Sequence, residues 1–213
     1  MEWENELIKA LEDEIEKDKS QGLYDNDFYN DHQKYRPIYD FLADIAIASF
    51  EPKSVIDLGC GAGFMLERLR SQGVKKVYGI DGSESAKGSW PDYMQDVLEV
   101  KNLLDFKPTE RYDVAICMEV AEHIPKDKAD RVVKKVTDSS AKFVWWSAAQ
   151  PGQGGTGHVN CQSLCYWARK FEDCGFVPMW PLTYQIKMEM LKLKDINSFP
   201  WFRDNFTAFK RVK

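Results

Sequence analysis

Long apolar runs are missing from this chain of 213 residues. A membrane-spanning helix takes ~20 consecutive apolar residues, and the nearest approach, residues 41–50, is interrupted by Asp44. The opening residues are acidic, with no apolar centre and no small-residue cleavage site, so no secretory signal is expected there. A basic excess is missing as well: Lys and Arg total 29 against 34 Asp and Glu, a formal charge of −5. Proteins that grip duplex nucleic acid through many phosphates carry such an excess, so there is no strong nucleic-acid signature. The five cysteines are irregularly placed and contain no Cys-x-x-Cys pair. That argues against a disulfide framework or a zinc knuckle and fits a reducing cytoplasm. His158, Cys161, Cys165 and Cys174 are therefore read as a loop histidine and core cysteines. Also absent are a Gly-Lys-Ser/Thr phosphate loop, an Asp/Asn-Pro-Pro-Tyr/Phe run, internal repeats and low-complexity tracts. Nothing in the sequence fixes an oligomeric state.

What is present is the composition of a globular domain, 44% apolar and 13% aromatic. Charge is unevenly spread: residues 1–20 hold eight acids and three lysines, and the remainder is neutral. Trp3, Leu7, Ile8, Leu11 and Ile15 fall at helical spacing, predicting an amphipathic helix over residues 2–19 with an acidic outer face. A polar aromatic stretch follows over residues 22–35. A second helical pattern starts at Pro37 and runs through Tyr39, Leu42, Ile45 and Ala46. Residues 1–50 are expected to form a helical cap and residues 51–213 the main domain.

From Ser54 the text alternates strand and helix. Strands are predicted at 54–58, 76–80, near 93–95, at 112–118 and at 141–147. Further strand-like runs lie at 176–186 and 206–212. Helices are expected after Gly63, after the fourth strand with Pro125 in the first turn, and over 162–174. Units of ~30 residues in this order imply a parallel sheet with helices on both faces.

The first strand ends in Gly59-Cys60-Gly61-Ala62-Gly63. A strand, a glycine turn and a helix bring backbone N–H groups beside a ligand at the carboxyl ends of the strands. A dinucleotide fingerprint wants glycine at its first, third and sixth positions, but Phe64 occupies the sixth, which weighs against a dehydrogenase. The early third glycine, with Asp57 two residues before the first, suits an amino-acid-like ligand whose ammonium Asp57 accepts. Asp81 closes the second strand, where a carboxylate accepts ribose hydroxyls.

These motifs, Val55-Ile56-Asp57-Leu58-Gly59-Cys60-Gly61-Ala62-Gly63, Tyr78-Gly79-Ile80-Asp81 and Tyr112-Asp113-Val114 with Glu119-Val120-Ala121-Glu122-His123, resemble those of class I S-adenosylmethionine-dependent methyltransferases. The loop from Ser147 to Asn160 and the run Trp201-Phe202-Arg203-Asp204-Asn205 resemble a bacterial and viral subgroup of that family whose acceptor is unassigned. The resemblance implies an α/β fold: a Rossmann-like sheet of seven strands, mostly parallel, the last antiparallel. It implies S-adenosyl-L-methionine as cofactor and S-adenosyl-L-homocysteine as product. Asp57, Gly59, Cys60, Gly61 and Gly63 would hold the methionine moiety, and Asp81 with Gly82 the ribose. Asp96, taken to follow the third strand, and Val97 would hold the adenine. Glu119 would line the pocket and Arg36 meet the cofactor carboxylate.

For the chemistry, methyl transfer demands above all that nucleophile and methyl be close and aligned, and a hydroxyl acceptor also benefits from a base. His158, in a glycine-rich loop after the fifth strand, is the candidate base. The Glu-x-x-Glu-His run resembles the metal ligands of ubiquinone-pathway O-methyltransferases and small-RNA 2′-O-methyltransferases, so Glu119, Glu122, His123 and His158 could hold Mg²⁺. The expected acceptor is a small molecule or a sugar, through a hydroxyl or an amine. The alternatives are a metal-assisted RNA 2′-O-methyltransferase and a nucleoside-binding interaction module without catalysis. Trp145, Trp146, Trp167, Phe171 and Trp180 are expected in the core, and some of Trp180, Trp201 and Phe202 on a pocket wall.

Overall fold

The computed structural model describes residues 23–194 and 196–212; the helix expected over residues 2–19 lies outside them. Within that range seven strands form one sheet in the order β3-β2-β1-β4-β5-β7-β6. The strands are β1 (Ser54–Leu58), β2 (Lys76–Asp81), β3 (Leu98–Val100), β4 (Tyr112–Met118), β5 (Ser140–Ser147), β6 (Phe176–Pro178) and β7 (Thr207–Arg211). Strands β1 to β5 pair in parallel, and β7 runs antiparallel between β5 and β6. The central strands are nearly continuous apolar runs because both faces are covered: Val55, Ile56, Leu58, Val114, Ala115, Ile116 and Cys117 are all buried.

The helices are α1 (Asn26–Asp31), α2 (Arg36–Phe50), α3 (Phe64–Ser71), α4 (Glu84–Lys87), α5 (Ala129–Ser139), α6 (Leu164–Asp173), α7 (Trp180–Met190) and α8 (Trp201–Asp204). Pro37 sits in the first turn of α2, where its missing N–H costs nothing. Ile38, Leu42, Ala43 and Ala46 then bury one face of that helix. It ends at Glu51, which adopts φ 44° while its N–H donates to the Ile47 carbonyl at 2.9 Å. Helix α6 starts where Ser163 Oγ accepts from the Tyr166 N–H at 3.2 Å. One face of the sheet is covered by a cluster that includes Leu42, Leu66, Ile186 and Phe202, and the other by one that includes Val132, Val136, Trp167 and Phe171. Trp145, Trp146, Trp167 and Phe171 lie in the core as expected. No described helix is long and apolar enough to cross a membrane.

Three elements differ from the sequence expectation. Residues 93–95 are not a strand: Pro91 opens a 3-10 turn over Asp92–Met94, with the Met94 N–H donating to the Pro91 carbonyl at 2.8 Å. The third strand is Leu98–Val100. The run 176–186 is a three-residue strand followed by a helix. Pro178 has no N–H to extend the ladder, and Pro181 occupies the first turn of α7. After β4 the chain makes two 3-10 turns, Ala121–His123 and Lys126–Lys128, before α5 begins. Cys165, read as a core cysteine, is exposed.

Candidate functional site

Everything the sequence singled out for the methionine moiety lies where β1 gives way to α3. Gly59, Gly61 and Gly63 all have positive φ, at 95°, 52° and 75°. A Cβ on Gly59 would stand 2.3 Å from Val120 Cγ2, so only glycine allows the β1 and β4 loops to meet. The Gly59 and Cys60 N–H groups donate to the Ile80 carbonyl at 2.8 and 2.9 Å, tying the turn to β2.

Asp57, in β1, is 6% exposed. Among the described residues its carboxylate has no hydrogen-bond partner. Burial first, and then the neighbouring Asp81, push its pKa up to about 7. A buried acid without a donor is a costly arrangement unless a ligand completes it. Asp81 stands at the end of β2. Its Oδ1 accepts from Tyr29 Oη at 3.1 Å and from the Ser83 N–H at 2.9 Å, and its Oδ2 accepts from the Gly61 N–H at 2.8 Å. Burial raises the Asp81 pKa, and these donors oppose the rise. Gly82, beside it, faces open space.

Asp96 and Val97 are not at this site. Because β3 begins at Leu98, opposite Gly79, both residues precede the strand and lie away from its carboxyl end. The exposed Asp96 carboxylate pairs with Arg70 at 2.9 Å, and the Val97 carbonyl accepts from the Gly79 N–H. The residues that leave β3 beside Asp81 are Lys101 and Asn102, the Lys101 N–H donating to the Asp81 carbonyl at 2.7 Å. Arg36 is engaged by Glu67 at 2.6 Å and lies over the Phe64 ring.

Beyond β4 the Glu-x-x-Glu-His run folds into a compact acidic and imidazole group. Glu119 takes φ 53°, held by its N–H donating to the Ser147 carbonyl at 3.0 Å. Its carboxylate accepts from Asn205 Nδ2 at 3.1 and 3.2 Å. Glu122 is fully buried. Its Oε1 accepts from the Ala149 N–H at 3.2 Å, while Oε2 has no donor. Burial and then the adjacent Glu119 push the Glu122 pKa well up, and burial raises that of Glu119 as well. The Glu122 carbonyl accepts from Val159 and Asn160 at 2.8 and 2.9 Å, pinning the loop that carries His158.

That loop brings His158 to His123, the rings 5.0 Å apart and edge to face. Glycine at 155 is required here, since a Cβ would fall 2.3 Å from the His158 ring. His123 Nδ1 and Tyr24 Oη are hydrogen-bonded at 2.7 Å. Burial, with His158 nearby, lowers the His123 pKa to about 4. Ligand atoms of Glu122, His123 and His158 all lie within 4.8 Å of one another. Glu119, expected as a fourth member, stands outside that group.

Sequence reasoning missed Tyr24, Tyr29, Gln153 and Asn205. Tyr24 and Tyr29 belong to the polar aromatic stretch, whose composition carries no spacing signal. Gln153 Oε1 accepts from Asn205 Nδ2 at 3.0 Å; both fall inside quoted motifs, so membership there was the available clue. Trp180 is on the surface, while Phe202 is in the core.

Comparison with known proteins gives the same frame. The methyltransferase-domain family matches residues 29–142, more than half of the chain and inclusive of the glycine turn, Asp81 and Glu119–His123. The ubiquinone biosynthesis O-methyltransferase of Nitrosomonas europaea is 29% identical over 138 residues, 57% of this chain and 56% of that protein. The enzyme of the same name from Neisseria meningitidis serogroup C is 32% identical over 91 residues, 38% of each chain. The chain thus spans about half the length or less of these curated relatives. Among solved structures, the putative methyltransferase bound to the Haloferax volcanii Trm112 methyltransferase activator superposes with TM-score 0.64 at 14% identity, over 90% of this chain and 96% of that one. CalS10, an amino pentose methyltransferase from Micromonospora echinaspora, gives TM-score 0.62 at 12% identity, over 84% and 92%. At such identities these two report the fold. With the sheet order, the glycine turn and the family match in agreement, the chain belongs to the methyltransferase-domain family and has the fold of the class I S-adenosylmethionine-dependent methyltransferases.

Proposed function

We propose that this chain transfers the methyl group of S-adenosylmethionine to a hydroxyl of a small-molecule or sugar acceptor. The observation that carries the reading is the placement of Glu119, Glu122, His123 and His158 next to the glycine turn, at the carboxyl ends of β1, β4 and β5. The names of the curated relatives, which specify O-methylation, favour oxygen over nitrogen. The amides of Gln153 and Asn205 beside Glu119 provide polar company suited to hydroxyl groups.

The residues fit the cofactor. Asp57 offers an unpartnered carboxylate to an ammonium, the glycine turn leaves room against the backbone, and Asp81 keeps acceptor capacity for ribose hydroxyls. Asn102 takes the place at the end of β3 that the sequence had given to Asp96. When bound, S-adenosylmethionine supplies an electrophilic methyl group on a sulfonium. The chain's part is to hold the acceptor oxygen in line with it and to take up the proton. His158 is the proposed base. Its loop is fixed to Glu122, and its ring faces an imidazole that burial keeps neutral.

A second reading is favoured by the convergence of Glu122, His123 and His158. A carboxyl oxygen without a donor and two imidazoles could hold a divalent ion, Mg²⁺ or one better matched to nitrogen ligands, that polarises the acceptor hydroxyl. Metal binding is read directly as a rise in melting temperature with Mg²⁺, Mn²⁺ or Zn²⁺ that is lost in His123→Ala.

The test of function is a screen of sugar nucleotides, quinol precursors and short RNAs with methyl-labelled cofactor. Label on a sugar or quinol hydroxyl supports the proposal. Label on RNA alone moves the chain to the RNA 2′-O-methyltransferases, and cofactor binding without transfer to any class favours the binding-module alternative.

A further inference from the structure

Cys161 stands at the foot of the loop that carries His158. That loop leaves β5 after Ser147 and is pinned at Asn160, whose N–H donates to the Glu122 carbonyl at 2.9 Å. One residue on, Cys161 is half-buried. Its Sγ has two polar neighbours, His158 Nδ1 and the Gln153 carbonyl oxygen, each at 3.7 Å. Gln153 is itself held: its N–H donates to the Gln150 carbonyl at 3.0 Å, and its Oε1 accepts from Asn205 Nδ2 at 3.0 Å. The His158 ring is bounded on other sides by Gly155 and by the edge-to-face ring of His123.

A thiol has one proton to donate and accepts weakly through its sulfur. The Gln153 carbonyl can only accept, so the Sγ–H goes to it. Sγ then meets Nδ1 as an acceptor, and both contacts are satisfied only when His158 carries its proton on Nδ1. A neutral imidazole in water prefers the proton on Nε2, and in a protein the hydrogen bond made by one ring nitrogen decides the state of the other. Among the described residues Nδ1 has no hydrogen-bond partner besides Cys161, and Nε2 has none.

We propose that Cys161 is the positioning residue of His158: its sulfur accepts from Nδ1–H and so leaves Nε2 without a proton, as the nitrogen offered to the acceptor site. The catalytic meaning of this rests on the reading of His158 as the base, which needs one bare ring nitrogen; the tautomer itself does not depend on it. A divalent ion would need the same bare nitrogen, with the other N–H held by a neighbour. Through Gln153 and Asn205 the same contacts tie His158 to the Glu119 carboxylate.

Nitrogen NMR of the full chain labelled with ¹⁵N-histidine, with a chelator present, reads the tautomer directly. At about pH 8 an ordinary imidazole is neutral and an ordinary thiol mostly protonated. The chain has three histidines, and His158→Ala identifies the signals of residue 158 by their loss. The wild type should show a pyrrole-type shift at Nδ1 and a pyridine-type shift at Nε2. Cys161→Ser, whose hydroxyl can make both contacts, should keep that pattern. Cys161→Ala should exchange the two shifts, with S-adenosylhomocysteine affinity at the wild-type value; Cys161→Val serves if the Ala variant misfolds. With a methyl acceptor in hand, kcat should fall about tenfold in Cys161→Ala, part of the base's whole contribution, and recover in Cys161→Ser. A wild-type His158 protonated on Nε2, or the wild-type pattern persisting in Cys161→Ala and Cys161→Val, overturns the proposal. Failure of the base reading shows separately, as full turnover in His158→Ala, and leaves the measured tautomer standing.

Discussion

Asn205 donates its side-chain amide to both carboxylate oxygens of Glu119, at 3.1 and 3.2 Å, across 86 residues of sequence. The contact joins the end of β4 to the turn that precedes β7, and Asn205 is 1% exposed. With the Ser147 hydroxyl accepting from the Glu119 N–H at 3.1 Å, it fixes a residue whose backbone is in the left-handed region. Next to it stands the buried Glu122, and burial pushes the pKa of both carboxyl groups up.

Replacing Asn205 by Ala leaves the Glu119 carboxylate without its amide donor. Such a loss beside a buried acid costs about 1–3 kcal/mol, read by urea denaturation. Turnover should fall with it, because Glu119 loses its position beside the acceptor site. Asn205→Asp should be worse than Asn205→Ala, since it adds a third carboxyl group to the cluster.

The Asp57 carboxyl gives a pH dependence to cofactor binding. Its pKa stands at about 7 in the protein without ligand, and an ammonium prefers the ionised form. Affinity for S-adenosylhomocysteine should therefore rise about tenfold per unit as pH approaches 7 from below, and level off above it. The same shift has the opposite sign for the free protein. A carboxyl whose pKa is higher folded than unfolded stabilises the fold relative to its ionised form at low pH, and that contribution is lost as pH rises from ~4 to 7. Asp57→Asn should flatten the affinity profile; an unchanged slope in that variant removes Asp57 from the account.

His158→Ala should lower turnover by roughly 10²–10⁴ while S-adenosylhomocysteine affinity remains nearly unchanged. If a divalent ion is required, a chelator abolishes the wild-type rate and added metal restores it. Full activity of His158→Ala in the presence of chelator would eliminate both the base and the metal, leaving alignment alone to explain the rate.

Asp96→Ala should leave cofactor affinity at the wild-type value, because its exposed carboxylate pairs with Arg70 away from the site. Asn102→Ala, at the carboxyl end of β3, should weaken it. The reverse pattern in a calorimetric comparison would restore Asp96 as the adenine contact.

Much of the fold was legible because parallel strands buried on both faces are written as short apolar runs. Strands β1 and β4 lie where the text put them, at Ser54–Leu58 and Tyr112–Met118. The third strand was misplaced because Tyr93 and Met94 look apolar enough for a strand, whereas Pro91 commits them to a turn. Asp96 moves with it: a shift of a few residues places this acid before the strand, in a surface ion pair with Arg70, instead of at the carboxyl end. Asp57, Asp81 and the glycines were readable from local spacing. Asn205 and Tyr24 were not, since each reaches its partner only through tertiary packing, against Glu119 and His123 respectively. The 176–186 run shows a similar limit: its apolar letters fit a strand, but Pro181 and the inward set Thr183, Ile186 and Met190 make it a helix.

The central claim is that the Asp57–Asp81 end of the sheet binds the cofactor. Isothermal titration of wild type and Asp81→Ala with S-adenosylhomocysteine tests it most directly. One saturable site in the wild type, weakened about 100-fold or more in the variant, a loss of about 2.7 kcal/mol, is the predicted result. No binding to the wild type, or equal binding to both proteins, would contradict it.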